Sequence, residues 1–371
     1  MESSIPAPFV PAIGSTLDEI DTPCLLVDLD AFESNVKKMA AYCAENGVAW
    51  RPHSKCHKSP DIARAIVAAG AIGVTCAKLG EAEVMAAAGV KDLLIANPLV
   101  GPIKLRRLAA LREIADPITI VDHPEHVDAL SAALPRERPV RTLIEVDIGM
   151  SRCGVQPGEA AVALARRIDE SPSLELAGIM GYEGHLLRIE DPAEKERAIA
   201  ASIGLLDATK KALLEAGLPC PIVSAGGTGS YAITARQPGL TEIQAGGGIF
   251  MDLMYSEECG VDGLDYSLTI LASVTSRPTA DRAIVDAGRK TMNRELHTPE
   301  VKGRDDLRIQ SLSAEHGVLD VTQGAGPAIG DRIEFIPGYG DFTTVLHDRF
   351  YCLRGDRLET VWPLEARGRL T

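Results

Sequence analysis

What the 371-residue chain lacks narrows its class before any motif is read. No apolar run approaches the roughly 20 residues that a membrane span requires. Residues 1–15 carry no basic region followed by an apolar core, so no secretory leader is expected. No stretch concentrates Lys and Arg, and the formal net charge is −14, which argues against broad nucleic-acid binding. That charge still leaves room for a locally cationic pocket holding an anionic cofactor. No CxxC or zinc-type spacing links the eight cysteines. Reduced, mostly buried thiols are therefore expected, Cys56 and Cys153 included, and with them a cytoplasmic protein. Low-complexity tracts and repeats beyond a βα unit are also missing.

What is present is a globular composition, 46% hydrophobic and 24% charged, long enough for one large domain and one smaller one. Apolar runs at 24–29, 50–55, 73–77, 92–97, 118–121, 141–148, 174–182, 221–224 and 242–246 alternate with amphipathic stretches such as 31–46, 60–69, 79–88, 101–114, 157–169 and 192–216. Continuous apolar strands separated by helices mark a parallel sheet covered on both faces. Eight or nine such units fit an α/β fold closed into a (β/α)8 barrel better than an open doubly wound sheet. The barrel is expected over 24–260. Beyond residue 265 the runs at 266–276, 283–285, 307–312, 317–321, 332–336, 343–347 and 350–354 are short, β-rich and divided by Gly, Pro and Asp. They predict a C-terminal antiparallel β domain over 265–371, with the seam at 258–265.

Chemistry in a barrel of this kind collects where strands end. Lys55 sits at such an end, within Arg51-Pro52-His53-Ser54-Lys55-Cys56-His57-Lys58. Its amine can condense with an aldehyde, and neighbouring cations favour this by lowering its pKa; the alternative is a solvated basic loop. Arg152, in Asp147-Ile148-Gly149-Met150-Ser151-Arg152-Cys153-Gly154-Val155, either orients a polar ring or acid group or makes an ion pair in the barrel rim. Tyr182 and His185 close another strand, as a stacking platform and an imidazole at the same mouth or as rim packing. Two glycine clusters follow the last two strands: Ser224-Ala225-Gly226-Gly227-Thr228-Gly229-Ser230 and Ala245-Gly246-Gly247-Gly248-Ile249. Backbone N–H groups in such loops converge on phosphate, and glycine also serves tight turns. A lysine, an aromatic platform and a phosphate cradle together describe a pyridoxal 5′-phosphate (PLP) site.

The chain resembles the D-threonine aldolase/D-serine dehydratase family. The likeness is carried in order by Asp21-Thr22-Pro23-Cys24-Leu25-Leu26-Val27-Asp28-Leu29-Asp30, by Arg51-Pro52-His53-Ser54-Lys55, by Arg152-Cys153-Gly154-Val155, by Gly226-Gly227-Thr228-Gly229-Ser230 and by Glu315-His316-Gly317. The closing run from Glu359 to Gly368 is similar to that of 3-hydroxy-D-aspartate aldolases. The resemblance implies an alanine-racemase-like barrel and β domain, with residues 1–30 joining the latter. It further implies a homodimer whose sites are roofed by the partner's β domain. By the same resemblance Lys55 would bind PLP, Arg152 would lie near its phenolic oxygen and Tyr182 would face its ring. Gly227, Thr228, Gly229, Gly247 and Gly248 would line the phosphate, although the family carries bulkier residues at the last two. Asp286, Lys290 and His316 are candidates for a substrate pocket or, equally, for a polar surface loop.

One segment departs from the family. Pro337-Gly338-Tyr339-Gly340-Asp341 stands where its members carry Pro-Gly-His-Cys-Asp or Pro-Gly-His-Cys-Cys, whose His and last residue bind a divalent metal. A neutral phenol is a poor ligand beside imidazole, which disfavours zinc and leaves at most a weak Mg²⁺ or Mn²⁺ site at Asp341. The expected activity is that of a PLP-dependent lyase acting on a small amino-acid substrate. It would cleave D-configured β-hydroxy-α-amino acids, with Tyr339 or His185 taking the β-hydroxyl proton. The alternatives are a D-serine or D-hydroxyaspartate dehydratase, an amino-acid racemase without the metal site, and a non-catalytic PLP-binding protein.

Overall fold

The computed structural model describes residues 9–371. The first eight residues, part of the expected 1–15 and 1–30 segments, lie outside this description. The chain divides into two compact units. One contains residues 9–34, Phe250–Met254 and Asp265–Pro363; the other contains Asn35–Ile249, Tyr255–Leu264 and Leu364–Thr371.

After β1 (Cys24–Asp28) and α1 (Leu29–Glu45), strand and helix alternate. The series runs β2 (Ala49–Trp50), α2 (Pro60–Ala68), β3 (Val74–Cys76), α3 (Leu79–Ala87), β4 (Asp92–Ile95), α4 (Pro102–Leu111), β5 (Asp116–Val121) and α5 (Pro124–Ala133). It continues with β6 (Val140–Glu145), α6 (Glu159–Asp169), β7 (Leu174–Met180), α7 (Pro192–Glu215), β8 (Ile222–Ala225), α8 (Tyr231–Thr234) and β9 (Glu242–Ile243). Proline at the first turn starts α2, α4, α5 and α7, where its fixed φ suits the helix and its missing N–H is not needed. The Asp191 side chain caps α7 by accepting from the Glu194 amide at 2.7 Å.

Strands β2 to β9 form one parallel sheet in the order β2-β9-β8-β7-β6-β5-β4-β3, and a parallel bridge between His53 and Thr75 closes the ring. Leu94, Ile118, Ile120, Leu143, Ala177 and Met180 form a buried core cluster, as strands covered on both faces require. At the strand starts, Arg51 (1% exposed) reaches both oxygens of Glu242 at 3.1 Å and Asp92 at 2.7 Å. Arg141 joins Asp92 to Asp116 at 2.7 and 2.9 Å. This network plugs the end of the barrel where the strands start. Arg51 is therefore structural and is not a cation beside Lys55.

The other unit is built on β10 (Leu268–Thr279), β11 (Arg282–Val285), β12 (Glu300–Val301), β13 (Leu307–Leu312), β14 (Gly317–Val321), β15 (Arg332–Ile336), α9 (Gly340–Thr344), β16 (Arg349–Arg354) and β17 (Arg357–Pro363). The sheet runs β13-β14-β11-β10-β1-β16-β17, with β15 on β10 and β12 on β15. It is antiparallel except where β1 lies parallel to β16. The strand expected at 343–347 is instead the end of α9 followed by turns. Its Thr-Thr-Val sequence has strand propensity. Two hydrogen bonds override it: the Gly340 amide donates to Asp252 at 2.8 Å, and Thr343 Oγ1 donates to the Tyr339 carbonyl at 3.0 Å.

Candidate active site

A cavity of about 430 Å³ opens at the carboxyl ends of the barrel strands. Lys55, Arg152, Tyr182, Gly227, Thr228 and Gly247 line it, so six residues singled out after five different strands converge on one space. Lys78 also faces the cavity, and none of its lining residues is a carboxylate. A chain of net charge −14 thus keeps a cationic chamber.

Lys55 is presented by a single 3-10 turn, Ser54–Cys56, whose start is fixed when the Lys55 amide donates to His53 Nδ1 at 3.3 Å. Beneath this turn lies Glu81, fully buried. It accepts from Ser54 Oγ at 2.8 Å and from the Ala77 amide at 2.8 Å, and Lys58 Nζ stands 3.5 Å away. One carboxylate thereby ties the Lys55 turn to the loop that carries Ala77 and Lys78. Lys58 holds a left-handed backbone, φ 49°, consistent with tertiary contacts that over-determine it. Burial, reinforced by Lys55 and Lys58, pushes His53 well below the usual imidazole range. Burial takes His57 down to about 3, with Lys58 adding to the effect. Both rings are therefore neutral at pH 7, and the basic cluster read from the sequence contracts to Lys55 and a Glu81-paired Lys58.

The Arg152 guanidinium lies 5.9 Å from the Tyr182 ring centroid, within cation–π range, and 3.5 Å from buried Glu145. Tyr182 in turn abuts the first glycine cluster: a Cβ on Gly227 would fall 2.9 Å from its hydroxyl and 3.0 Å from Cε2. The two clusters are joined where the Gly248 amide donates to Thr228 Oγ1 at 3.0 Å. A Cβ on Gly247 would fall 2.5 Å from the Tyr255 ring, which occupies the space a bulkier residue would need. The amides of buried Thr228 and Gly229 find no acceptor among the described residues. Unsatisfied buried donors of this kind suit a phosphate ester. A lysine, a ring platform and an amide cradle fit PLP.

None of the remaining candidates is among the residues that line the cavity. His185 is exposed, its imidazole over Gly149, and does not line the cavity. Gly229 faces a neighbouring cleft on the far side of the loop. In the β unit, the Tyr339 phenol donates to Asp341 Oδ2 at 2.9 Å, both residues being buried. Asp286 accepts from Thr22 Oγ1 at 2.6 Å and from the Ser273 amide at 2.8 Å. Lys290 is 70% exposed and pairs with Glu315 at 2.8 Å, and His316 is exposed. Sequence reading passed over Glu81, Lys78, Glu183, Gln244 and Tyr255. Glu183 had a signal, being a carboxylate inside a strand-end motif, whereas Glu81 lies within a helix of ordinary composition.

Residues 27–253 match the alanine racemase N-terminal domain and residues 267–353 the putative serine dehydratase domain. The chain is 36% identical to the D-threonine aldolase of Arthrobacter sp., over 98% of its length and 97% of that protein. It is also 36% identical to the 3-hydroxy-D-aspartate aldolase of Paracoccus denitrificans strain Pd 1222, over 97% and 96%. The chain belongs to the D-threonine aldolase/D-serine dehydratase family. The solved D-threonine aldolase of Filomicrobium marinum superposes with a TM-score of 0.93 at 36% identity, covering 97% of this chain and all of that one. The likeness supports the alanine-racemase-like barrel and mostly antiparallel β sheet expected from the sequence, the strand expected at 343–347 excepted.

Proposed function

We propose that the chain is a PLP-dependent lyase that cleaves D-configured β-hydroxy-α-amino acids, of the D-threonine or 3-hydroxy-D-aspartate type, to glycine and an aldehyde. The observation that carries this reading is full-length identity to aldolases combined with convergence of Lys55, Tyr182 and the glycine loops on one cationic cavity. Bound PLP supplies the electron sink for breaking Cα–Cβ. Lys55 would anchor its aldehyde, Tyr182 would support the ring face and Arg152 would serve the ring oxygen. The loop amides and Thr228 would hold the phosphate, with Gly247 and Gly248 contributing backbone only. Lys78 and Arg152 attract the substrate's carboxylate into the chamber.

Cleavage also needs the β-hydroxyl proton to leave. Tyr339 is assigned that proton in preference to exposed His185, because its phenol oxygen can accept it as the phenol's own proton passes along the existing hydrogen bond to the Asp341 carboxylate. A Mg²⁺ or Mn²⁺ ion at Asp341 is the alternative device, and it would compete with the phenol for the same carboxylate. We take the enzyme to be a cytoplasmic homodimer with shared active sites. Eight cysteines, none of them in a disulfide, support a reducing compartment.

The test is product analysis. PLP-loaded enzyme is incubated with D-threonine, D-3-hydroxyaspartate, D-phenylserine and D-serine, with and without EDTA. Glycine plus aldehyde is the expected outcome. Oxo acid plus ammonia would identify a dehydratase and overturn the reading, as would an inverted α-carbon, the mark of a racemase.

A further inference from the structure

Glu183 follows the Tyr182 platform directly and is completely buried. Its Oε1 accepts from Ser230 Oγ and from Thr234 Oγ1, each at 2.6 Å, and its Oε2 lies 3.4 Å from the Gly226 amide. Ser230 Oγ in turn accepts from the Gly227 amide at 3.2 Å. A buried carboxylate is costly unless its lone pairs are filled, and three donors from one loop fill them here. The placement is unexpected, because an anion stands directly behind a loop suited to another anion. Uniform attraction of phosphate would call for a neutral or basic residue at this point.

The arrangement makes sense if the carboxylate acts on the loop rather than on the ligand. Ser230 precedes the short helix α8 and Thr234 ends it, and both hydroxyls are drawn onto one oxygen. Ser230 takes up the Gly227 amide. The Thr228 and Gly229 amides find no acceptor among the described residues. We infer that Glu183 is a positioning residue that pulls the Gly226–Thr234 loop into the shape that presents the Thr228 amide to the phosphate of PLP. This rests on the PLP reading above. Glu183 does not touch the cofactor; it acts through Ser230 and Gly227.

The test compares two ligands that share an aldehyde and differ only in phosphate. Enzyme freed of cofactor is titrated with pyridoxal 5′-phosphate and with pyridoxal, following the absorbance of the Lys55-bound chromophore. The variants are Glu183→Ala, Glu183→Gln and Thr234→Val. Glu183→Ala is expected to weaken pyridoxal 5′-phosphate at least ~10-fold, the scale of a lost charge-assisted hydrogen bond, and to leave pyridoxal affinity within about twofold. Glu183→Gln keeps an oxygen for both hydroxyls and should recover most of the loss. Thr234→Val removes one bond, and should shift the same way as Glu183→Ala by less. Equal weakening of both ligands would overturn the inference, since that is what a generally damaged barrel would do. So would unchanged affinity for pyridoxal 5′-phosphate in Glu183→Ala. Failure of the wild-type protein to form a chromophore with either ligand would sink the PLP reading itself, a separate result.

Discussion

Replacing Glu81 by leucine should cost about 3–5 kcal/mol of stability and loosen the turn that presents Lys55. The Lys58 ammonium stands 3.5 Å from the Glu81 carboxylate, with side-chain exposures of 9% and 0%. At an effective dielectric constant of about 20, unit charges at that spacing attract by about 5 kcal/mol before desolvation is subtracted. Removing only the acid leaves a buried cation, which typically costs 3–5 kcal/mol. It also strips an acceptor from the Ala77 amide, whereas Ser54 Oγ keeps the Thr75 carbonyl at 3.0 Å. The assay is a double-mutant cycle of Glu81→Leu and Lys58→Met, read by urea unfolding of the cofactor-loaded protein. Lys58→Met in the Glu81→Leu background should restore at least ~1 kcal/mol, because the uncompensated charge is gone. Strict additivity of the two substitutions would refute the argument that Glu81 offsets Lys58. The Glu81→Leu protein should also bind PLP more weakly, since the Lys55 turn and the Ala77–Lys78 loop lose their common anchor.

Gly227→Ala should lower PLP affinity with little change in unfolding midpoint, because a methyl group there displaces the Tyr182 ring from its place beneath Arg152; a cofactor titration checks it, and unchanged affinity would show that the ring yields freely. The neutral histidines set an acid limit. With its folded pKa at about 3 and its unfolded one near 6.5, His57 binds more protons when unfolded, so its share of stability is intact above pH 6.5. That share falls as pH drops from 6.5 toward 3, by up to ~1.4 kcal/mol per pH unit. Urea midpoints between pH 7 and 5 should therefore fall less steeply for His57→Gln than for wild type, and parallel slopes would refute the assignment. Lys55→Met should abolish both the bound chromophore and turnover.

The barrel was legible because each of its strands is an apolar run bounded by polar loops, and because proline starts four of the helices. The parallel pairing of β1 with β16 was not, since no local pattern records which strand a distant segment will join. The 343–347 segment misled for a related reason: its β-branched residues favour a strand, and the Asp252 acceptor that turns Gly340 into a helix start lies some 90 residues earlier. Within the site, motif reading found groups that face the cavity, such as Lys55, Tyr182 and Thr228. It could not find Glu81 or Glu183, which act through hydroxyls and amides of other segments. It also counted Arg51 and the two histidines among the basic neighbours of Lys55, with a solvated basic loop as the alternative. Arg51 points instead to the strand starts, and burial keeps the imidazoles neutral.

The Tyr339–Asp341 pair provides the sharpest test of how this chain differs from its family. The family pattern puts a histidine where Tyr339 stands, with a carboxylate or thiolate two residues on, and both bind a divalent metal. Here the phenol donates to Asp341 Oδ2 at 2.9 Å, so the acid is engaged by a hydrogen-bond donor and not by a second ligand. Imidazole binds divalent transition metals far better than a neutral phenol does. Tyr339→His should therefore create metal dependence: retro-aldol turnover would rise with added Mn²⁺ and fall in EDTA, while the parent enzyme changes less in both. Tyr339→Phe separates the two roles of the ring. It removes the donor to Asp341 and the group assigned to the β-hydroxyl proton, so kcat should fall at least ~10-fold while PLP affinity holds, general acid–base groups being worth about that much or more. Undiminished turnover in Tyr339→Phe would strike Tyr339 from the chemistry. Complete loss of parent activity in EDTA, restored by Mn²⁺, would show that the enzyme requires a metal despite the phenol, and would remove Tyr339 as the sole device for the β-hydroxyl proton.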